Sequence, residues 1–469
     1  MPTYLDVGLV RIQKYLNRTP KLTRRRGASA LVAIATETTS VVNAAAGIRA
    51  NDEAVEADGV VHLIIDSGEP KVVAKQVLVY LAQALPAAEI EASWATAEDY
   101  ASAHVALEAM RVLEPMRSFP SLMDIPLVQR CDGCAQAGVS AHRKAEDPRQ
   151  KRQDGFCADC EARHQAAGNR STNSAKVGSL DAEQQLLNYF NSGNVSSGLA
   201  LAKEFEDLAR LGSDEKSNHL ATVFIDGNKI GNWFQFVGKT HPGQVRDLSE
   251  AVTKATENAL RAGATAIQKD QTTLSTIVHI RGGDDVLVSI PADRAWSFTL
   301  AFLETFGSAM KDSLDVLGLA NVGLQNPSAS AGIVIAKTAY PLSDCVEIAD
   351  EMLKLAKRSN SGSAPAAMWV DVTRHGPKAP SNRRPRSLEW LRQNTTDIGV
   401  LSKLEQSTRS TLRVMCEVEN PSTQDANKIR SQSKRLGIPL ASFTEVRTPE
   451  EVGNLADLLD IARWWGDAA

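Results

Sequence analysis

The sequence predicts an α+β protein with two ferredoxin-like units, a cysteine-rich insert between them and a helical segment at the end. Three observations predict this fold. Short apolar runs rich in β-branched residues alternate with longer stretches of helical spacing. The order strand, helix, strand pair, helix occurs twice along the 469 residues. Two CxxC pairs lie between the two copies.

The first unit is expected over residues 1–120. Residues 3–10, TYLDVGLV, have the composition of a short buried strand. A loop and a helix are predicted over residues 11–45. Residues 59–66, GVVHLIID, form another apolar strand, and AKQVLVYLAQAL after it has helical spacing. These elements give the first ferredoxin-like order.

The insert and two helices that follow it are expected over residues 121–217. The segments DAEQQLLNYF and SGLALAKEFEDLARLG are predicted to be those helices. Two CxxC pairs separated by 22 residues are typical of tetrahedral zinc, with a redox-active pair as the alternative. Four thiolates leave no open coordination position, so a structural metal is favoured. The predicted ligands are Cys131, Cys134, Cys157 and Cys160.

The second unit is expected over residues 218–373. Its first strand, HLATVFID, ends at Asp226, and a helix follows over residues 247–268. The runs LSTIVHI and VLVSI flank Gly282-Gly283 as a hairpin. A helix, a strand, an amphipathic helix and a last strand follow at residues 294–310, 328–336, 342–358 and 366–372.

The last segment, residues 374–469, is predicted to be a basic, proline-containing linker followed by helices. The linker RHGPKAPSNRRPR carries Arg383, Arg384 and Arg386, which either face solvent or contact nucleic acid. A terminal helix is predicted to begin with Thr448 as N-cap and Pro449 as its first residue. Its apolar face consists of Val452, Leu455, Leu459 and Ala462.

Two adjacent carboxylates, Asp284 and Asp285, follow the glycine pair of the hairpin. Taken alone, this pattern is compatible with an ordinary exposed turn. Asp226, however, ends a strand that should lie beside the hairpin. Carboxylates that converge there would suit two Mg²⁺ or Mn²⁺ ions, which clamp the oxygens of a phosphoryl transfer.

Further residues could receive a nucleotide at the same strand end. Gly227 and Asn228 follow Asp226, and Ser330 opens the later strand. Small residues leave room for a phosphate chain close to the backbone. Lys357 and Arg358 end the amphipathic helix, where they either complement the helix dipole or bind phosphate.

These motifs resemble a known family. FIDGNKIG, RGGDDVLVSI and SAGIVIAKTAYPLSDCVEIADEMLKLAKR, in this order, look like the palm/cyclase domain of the type III CRISPR effector large-subunit family. That domain is related to the GGDEF-type diguanylate cyclases. The opening LDVGLVRIQKYLNRTPKLTRRRGASALVA is similar to the first palm of that family, and a CxxC insert between two palms also matches.

The resemblance implies a function. Members make cyclic oligoadenylate from ATP with two metal ions, within a complex of guide RNA, target RNA and other effector subunits. Carried over by motif, Asp226 and Asp284 would be metal ligands, and Asp285 a ligand or the activator of the attacking hydroxyl. Gly282 and Gly283 would form the turn that accepts the nucleotide, and Lys357 would contact phosphate. Adenine selectivity rests on the resemblance alone.

The sequence also departs from this family. Many members begin with an HD nuclease domain, but none of the eight histidines here is followed by Asp, so DNA cleavage is not expected. The first palm has no GGDD motif. Its hairpin is interpreted as IIDSGEPKVV, residues 64–73, and is expected to be inactive. A stand-alone synthase of cyclic or linear oligonucleotides and a non-catalytic structural subunit are therefore kept as alternatives.

Composition limits the remaining possibilities. The net charge of −4 argues against general polyanion binding, so nucleic-acid contacts must come from local patches. One such patch is Arg18, Lys21, Arg24, Arg25 and Arg26, for which a solvated face is the default expectation. The segment AHRKAEDPRQKRQ is another, with the same default. Since no signal peptide or run of roughly 20 apolar residues occurs, a cytoplasmic protein without membrane contact is expected.

Overall fold

The structure, a computed structural model, describes residues 1–54, 59–120, 128–144, 153–170, 181–192, 198–213, 218–269, 272–320, 322–381 and 383–466. The chain forms two compact units. Met1–Val195, Gly231–Thr253 and His279–Gly283 make up the first, and Ser196–Ile230, Lys254–Val278 and Asp284–Ala469 the second. Among the described residues, no helix is long and apolar enough to cross a membrane.

The chain begins with a five-stranded sheet and its helices. The strand order is β2-β3-β1-β4-β5, and Leu5, Leu63 and Ile90 contribute to the core beneath it. This arrangement confirms a ferredoxin-like first palm. The elements are β1 (Thr3–Val10), α1 (Ile12–Leu16), α2 (Leu22–Ala35), α3 (Thr38–Ala44), β2 (Ile48–Ala50), β3 (Val60–Ile65), α4 (Pro70–Ala84), β4 (Glu89–Thr96), α5 (Tyr100–Leu113) and β5 (Met116–Ser118).

Two details of this unit differ from the prediction. Residues 11–45 form three helices rather than one, since α1, α2 and α3 are separated by short breaks. The segment 64–73 is not a hairpin, because β3 ends at Ile65 and α4 begins at Pro70, which fits the first turn of a helix. The hairpin pairs β2 with β3 instead, so its connection lies earlier in the chain.

The insert contains β6 (Ala141–Arg143), β7 (Asp154–Phe156) and α6 (Ala158–Arg170), and α7 (Ala182–Ser192) follows. Helices α2 and α6 cross very closely. A Cβ on Gly27 would lie 1.9 Å from the carbonyl oxygen of Arg163, so this crossing requires glycine. Residues 145–152 of the basic segment AHRKAEDPRQKRQ lie outside the described residues.

The expectation of a solvated arginine face before and within α2 is wrong. Arg24 and Arg25 are 3% and 4% exposed, and Arg26 forms an ion pair with Glu183. The guanidinium of Arg24 lies over the ring of Phe156, 4.4 Å from its centroid. This contact packs the insert against α2. Because only Lys21 of the five basic residues is exposed, they do not form a free phosphate-binding surface.

The second palm is built on a six-stranded sheet of order β13-β12-β11-β8-β10-β9, with α11 and α12 packed against β8 and β11. Its β-α-β-β-α-β order confirms the second ferredoxin-like element pattern. The elements are α8 (Phe205–Ala209), β8 (His219–Asn228), α9 (Ile230–Thr240), α10 (Val245–Ile267), β9 (Ile277–Gly282), β10 (Asp285–Pro291), α11 (Ala295–Val316), β11 (Ser328–Lys337), α12 (Leu342–Ser359), β12 (Ala366–Asp371), α13 (Val372–His375) and β13 (Arg386–Ser387).

The helix predicted over residues 197–212 is mostly absent from the described residues 198–212, of which only the five residues of α8 are helical. A capping box at Glu204 makes α8 begin later than predicted. Before the helix, Ala200 forms a single β-bridge with Thr273. The sequence analysis also missed α9, whose first residues follow directly on β8.

The chain ends in a helical segment. The cap of α19 is confirmed, since Thr448 Oγ1 accepts a hydrogen bond from the Glu451 amide at 3.2 Å and Pro449 is the first residue. The predicted apolar face of α19 is buried, as are Trp464 and Trp465. The helices are α14 (Leu388–Gln393), α15 (Thr395–Ser402), α16 (Gln406–Cys416), α17 (Thr423–Arg435), α18 (Ala441–Thr444) and α19 (Pro449–Arg463).

The predicted basic linker is partly a buried ion-pair network. Arg383 donates to Asp460 at 2.6 Å, and Arg386 donates to Asp457 at 2.7 Å from its Nε. The indole of Trp369 also donates to Asp460, at 2.9 Å. These two arginines therefore fix the linker to α19 and are not available to nucleic acid.

Removing Asp460 is expected to destabilise this unit strongly. Asp460→Ala would remove the nearer of the two buried carboxylates that pair with the guanidinium of Arg383, which is 5% exposed, and leave only Asp457 at 3.7 Å, at a cost of about 3–5 kcal/mol. Urea unfolding followed by tryptophan fluorescence measures this, because Trp369 lies in the network. Asp350→Ala, which removes an exposed pair with Lys354, is the control and should cost at most about 1 kcal/mol. Equal effects of the two substitutions would contradict a structural role for the network.

Candidate active site

Asp226 lies on the central strand of the second palm, where three strands meet. It is directly opposite Ser330 on β11. On the other side Ile225 pairs with Val286 of β10, so the register brings Asp285 next to Asp226. The pairing of neighbouring strands thus gathers residues that are far apart in sequence.

The hairpin turn presents Asp284 to the same strand end. β9 ends at Gly282 and β10 begins at Asp285, so the turn has two residues. Gly283, at the first turn position, has φ of 56°, which glycine adopts without strain. A Cβ on Gly227 would lie 2.5 Å from Asp284 Oδ2. Glycine at position 227 therefore lets the carboxylate of Asp284 come close to the backbone of β8.

Lys357 completes the group from helix α12. Its ammonium donates hydrogen bonds to Asp226 Oδ2 and, at 2.7 Å, to the carbonyl oxygen of Gly227. The lysine reaches the strand end because α12 passes extremely close to β11. A Cβ on Gly332 would lie 2.0 Å from the carbonyl oxygen of Ala349, a constraint that the sequence analysis did not identify.

Arg358 is exposed, and its side chain makes no hydrogen bond or ion pair with these carboxylates among the described residues. The structure therefore brings Lys357, but not Arg358, to the strand end. A phosphate-binding role for Arg358 stays a prediction.

The predicted nucleotide-binding residues Asn228 and Ser330 form a buried pair. Asn228 is 2% exposed, and its Nδ2 donates to Ser330 Oγ at 3.0 Å and to Ser328 Oγ at 2.9 Å. Ser328 was not recognised from the sequence. These bonds fix the strand end beside Asp226, and direct nucleotide contact by either side chain stays a prediction.

The carboxylates are electrostatically coupled. Burial and the charge of Asp226 raise the pKa of Asp284 to about 6 and that of Asp285 to about 9, whereas Lys357 lowers both. Carboxylates whose protons are held by burial and by nearby like charges will release them to a divalent cation. Hard oxygen donors in this arrangement fit Mg²⁺ or Mn²⁺.

The first palm lacks these carboxylates. Arg11, with φ of 56°, precedes α1 as Lys229, with φ of 60°, precedes α9, so Gly8 of β1 corresponds to Asp226. Gly8 pairs with Val60 of β3. Gly59 and Val60 therefore occupy the positions that correspond to Asp284 and Asp285. The sequence analysis expected an inactive first palm but looked for its turn in the wrong segment.

The four insert cysteines converge as predicted. Cys131, Cys134, Cys157 and Cys160 are buried, and their sulfur atoms all lie within 4.8 Å of one another. The sulfurs of Cys134 and Cys157 are 3.8 Å apart, which is about the edge of a tetrahedron with bonds of about 2.3 Å, the usual zinc–sulfur length.

Backbone groups support this cluster. The amides of Gly133 and Cys157 both donate to Cys131 Sγ at 3.3 Å. Hydrogen bonds from the other cysteines lower the pKa of the Cys134 thiol. Four converging sulfurs with amide donors can hold one tetrahedral metal ion. Arg163, which is fully buried, lies on the same helix as Cys160 and pairs with Asp159 at 2.8 Å.

Residues 219–364 match the family model of Cas10/Cmr2, second palm domain. No curated protein sequence matches the chain significantly.

Solved structures of Csm1–Csm4 cassettes share the fold at low sequence identity. The apo cassette has a TM-score of 0.57 at 11% identity and covers 99% of this chain and 70% of that one. The AMPPNP complex has a TM-score of 0.56 at 14% identity, and the cA4 complex 0.52 at 12%; each covers 98% of this chain and 70% of the other. The sequence match assigns residues 219–364 to the Cas10/Cmr2 second palm family, as the sequence predicted, and the solved structures show that the chain shares the fold of these cassettes beyond that segment.

Proposed function

We propose that the second palm is a nucleotidyltransferase that converts ATP to cyclic oligoadenylate, in the large subunit of a type III CRISPR RNA-guided complex. One observation carries this proposal. Three carboxylates and one lysine converge at a strand end within a sequence that matches a Cas10/Cmr2 second palm. The solved structures of similar fold contain AMPPNP in one case and cA4 in another, which supports ATP as substrate.

The residues present fit a two-metal phosphoryl transfer. Asp226 and Asp284 would hold two Mg²⁺ or Mn²⁺ ions, and Asp285 would either complete the ligand set or accept the proton of the attacking ribose hydroxyl. Bound ions would neutralise charge on the attacking and leaving oxygens. Lys357 would contact the triphosphate. Such a reaction is catalysed mainly by positioning and charge neutralisation, so no covalent nucleophile is needed.

We infer further that zinc occupies the four-cysteine cluster, where it would be structural. The partners we propose are guide RNA, target RNA and other subunits of the effector. The fold likeness to Csm1 in cassettes with Csm4 supports a protein partner. With Arg24, Arg25, Arg383 and Arg386 engaged inside the protein, the RNA-binding surface must use other residues.

ATP turnover is expected to require Mn²⁺ or Mg²⁺. Purified protein is incubated with labelled ATP and each metal, with and without guide RNA, partner subunits and target RNA. Cyclic products resolved by liquid chromatography and mass spectrometry would support the proposal if target RNA stimulates them. Product without any RNA would favour a stand-alone synthase. Absence of product under every condition, with ATP and metal still bound, would favour a structural subunit.

A further inference from the structure

We propose that Lys357 and a divalent ion compete for Asp226, so that the second palm takes up its metal together with the nucleotide rather than before it. This inference rests on the proposed function and concerns the regulation of the same site. Its starting point is that the ammonium of Lys357 is held by Asp226 Oδ2 and the Gly227 carbonyl oxygen.

The oxygens that hold Lys357 are the kind of ligands that Mg²⁺ and Mn²⁺ prefer. Carboxylate and main-chain carbonyl oxygens from one strand end would serve a divalent ion as well as an ammonium. The side chains of Lys357 and Asp226 are 27% and 30% exposed, so water screens their charges only in part. Lys357 already neutralises the charge of Asp226. Its ammonium therefore repels a divalent ion that approaches this carboxylate.

Charge coupling extends this effect to the other two carboxylates. The register of β8 and β10 places Asp285 beside Asp226, and Asp284 Oδ2 lies close to the backbone of Gly227, whose carbonyl oxygen also holds Lys357. Lys357 thus acts as counter-ion to the whole group. While it is bound at Asp226, it lowers the attraction that three carboxylates together exert on a cation.

A triphosphate would remove this obstacle. Lys357 lies in the last turn of α12 and carries a long side chain with four rotatable bonds. Phosphate oxygens at the strand end would give its ammonium a new anionic partner, and Asp226 would become free to bind metal. Nucleotide and metal would then bind cooperatively, as linkage requires when each weakens the same competing contact.

The substitution Lys357→Met tests this inference, because methionine keeps much of the side-chain volume and removes the charge. Mn²⁺ binding to the full chain is measured without nucleotide by electron paramagnetic resonance of the free ion at pH 8. We expect Mn²⁺ to bind Lys357→Met at least tenfold more tightly than the unsubstituted chain. Binding of the ATP analogue AMPPNP without metal, measured by calorimetry, should weaken by a similar factor.

Lys354→Met is the matched control. Lys354 lies one turn earlier on α12 and pairs with Asp350, so its loss should change neither affinity. Weaker or unchanged Mn²⁺ binding by Lys357→Met would overturn the inference, since a merely structural lysine would impair both ligands. These readouts require no turnover. If Lys357→Met binds Mn²⁺ more tightly and AMPPNP more weakly but the unsubstituted chain makes no product from ATP, the competition for Asp226 is supported and the proposed activity is not.

Discussion

Asp285→Asn is expected to abolish nucleotide turnover, with a loss of roughly a thousandfold or more in rate. Asparagine has nearly the same shape as aspartate but cannot carry the negative charge that a divalent ion or the proton of the ribose hydroxyl requires. Asp285 stands beside Asp226 in the register of β8 and β10, so the loss would fall at the centre of the proposed site. The assay is the rate of cyclic product formation from ATP under the conditions that support the unsubstituted chain.

The same substitution should stabilise the folded protein in the absence of divalent ions. The pKa of Asp285 is raised to about 9 by burial and by Asp226, so the native state holds a proton that the unfolded state releases above about 4. The contribution of Asp285 to stability therefore falls as pH rises from about 4 to 9, and asparagine removes this loss. We expect a higher thermal midpoint for Asp285→Asn at pH 8 and a smaller difference near pH 5.

This pair of results distinguishes a site residue from a structural one. A residue needed for packing would lose stability and activity together, whereas Asp285→Asn should lose activity and gain stability. Retained turnover would show that the reaction occurs elsewhere in the chain. Ser289→Ala, on the same strand and fully buried, is a control that should leave turnover near that of the unsubstituted chain.

Local sequence patterns predicted the strands that form this site and the residues at their ends. Apolar runs such as HLATVFID and VLVSI identify β8 and β10, and paired glycines identify the turn between β9 and β10. A β-α-β-β order then implies which strands are neighbours. The expectation that Asp226 lies near the carboxylates of the hairpin follows from these local signals and one topological rule.

Other features depend on tertiary contacts that no local pattern contains. The glycine at position 332 is required because helix α12 approaches β11, and this approach brings Lys357 to Asp226. The arginines of α2 are basic by sequence but buried in the structure, because aromatic and acidic partners come from residues more than a hundred positions away. The expectation that charged residues are exposed was therefore wrong for arginines whose partners lie far away in the sequence.

Loss of one insert cysteine is expected to remove the metal and unfold the insert. In Cys160→Ser the fourth thiolate of a fully buried cluster is replaced by a hydroxyl, which binds zinc poorly. Zinc binding in small domains of this kind is worth about 10–16 kcal/mol and is coupled directly to folding. We expect zinc content, measured by elemental analysis, to fall from about one ion per chain to near zero, and residues 128–144 and 153–170 to become sensitive to limited proteolysis.

Cys416→Ser separates this effect from a general cost of losing a buried thiol. Cys416 is fully buried in α16 but lies outside the cluster, so its substitution should lower stability and leave the zinc content unchanged. If the unsubstituted chain contains no zinc and its four cysteines change between thiol and disulfide with the redox potential, the redox alternative is correct instead.

Because helices α2 and α6 cross at Gly27 without room for a side chain, loss of the metal should also loosen α2, which protease cleavage within Leu22–Ala35 would detect.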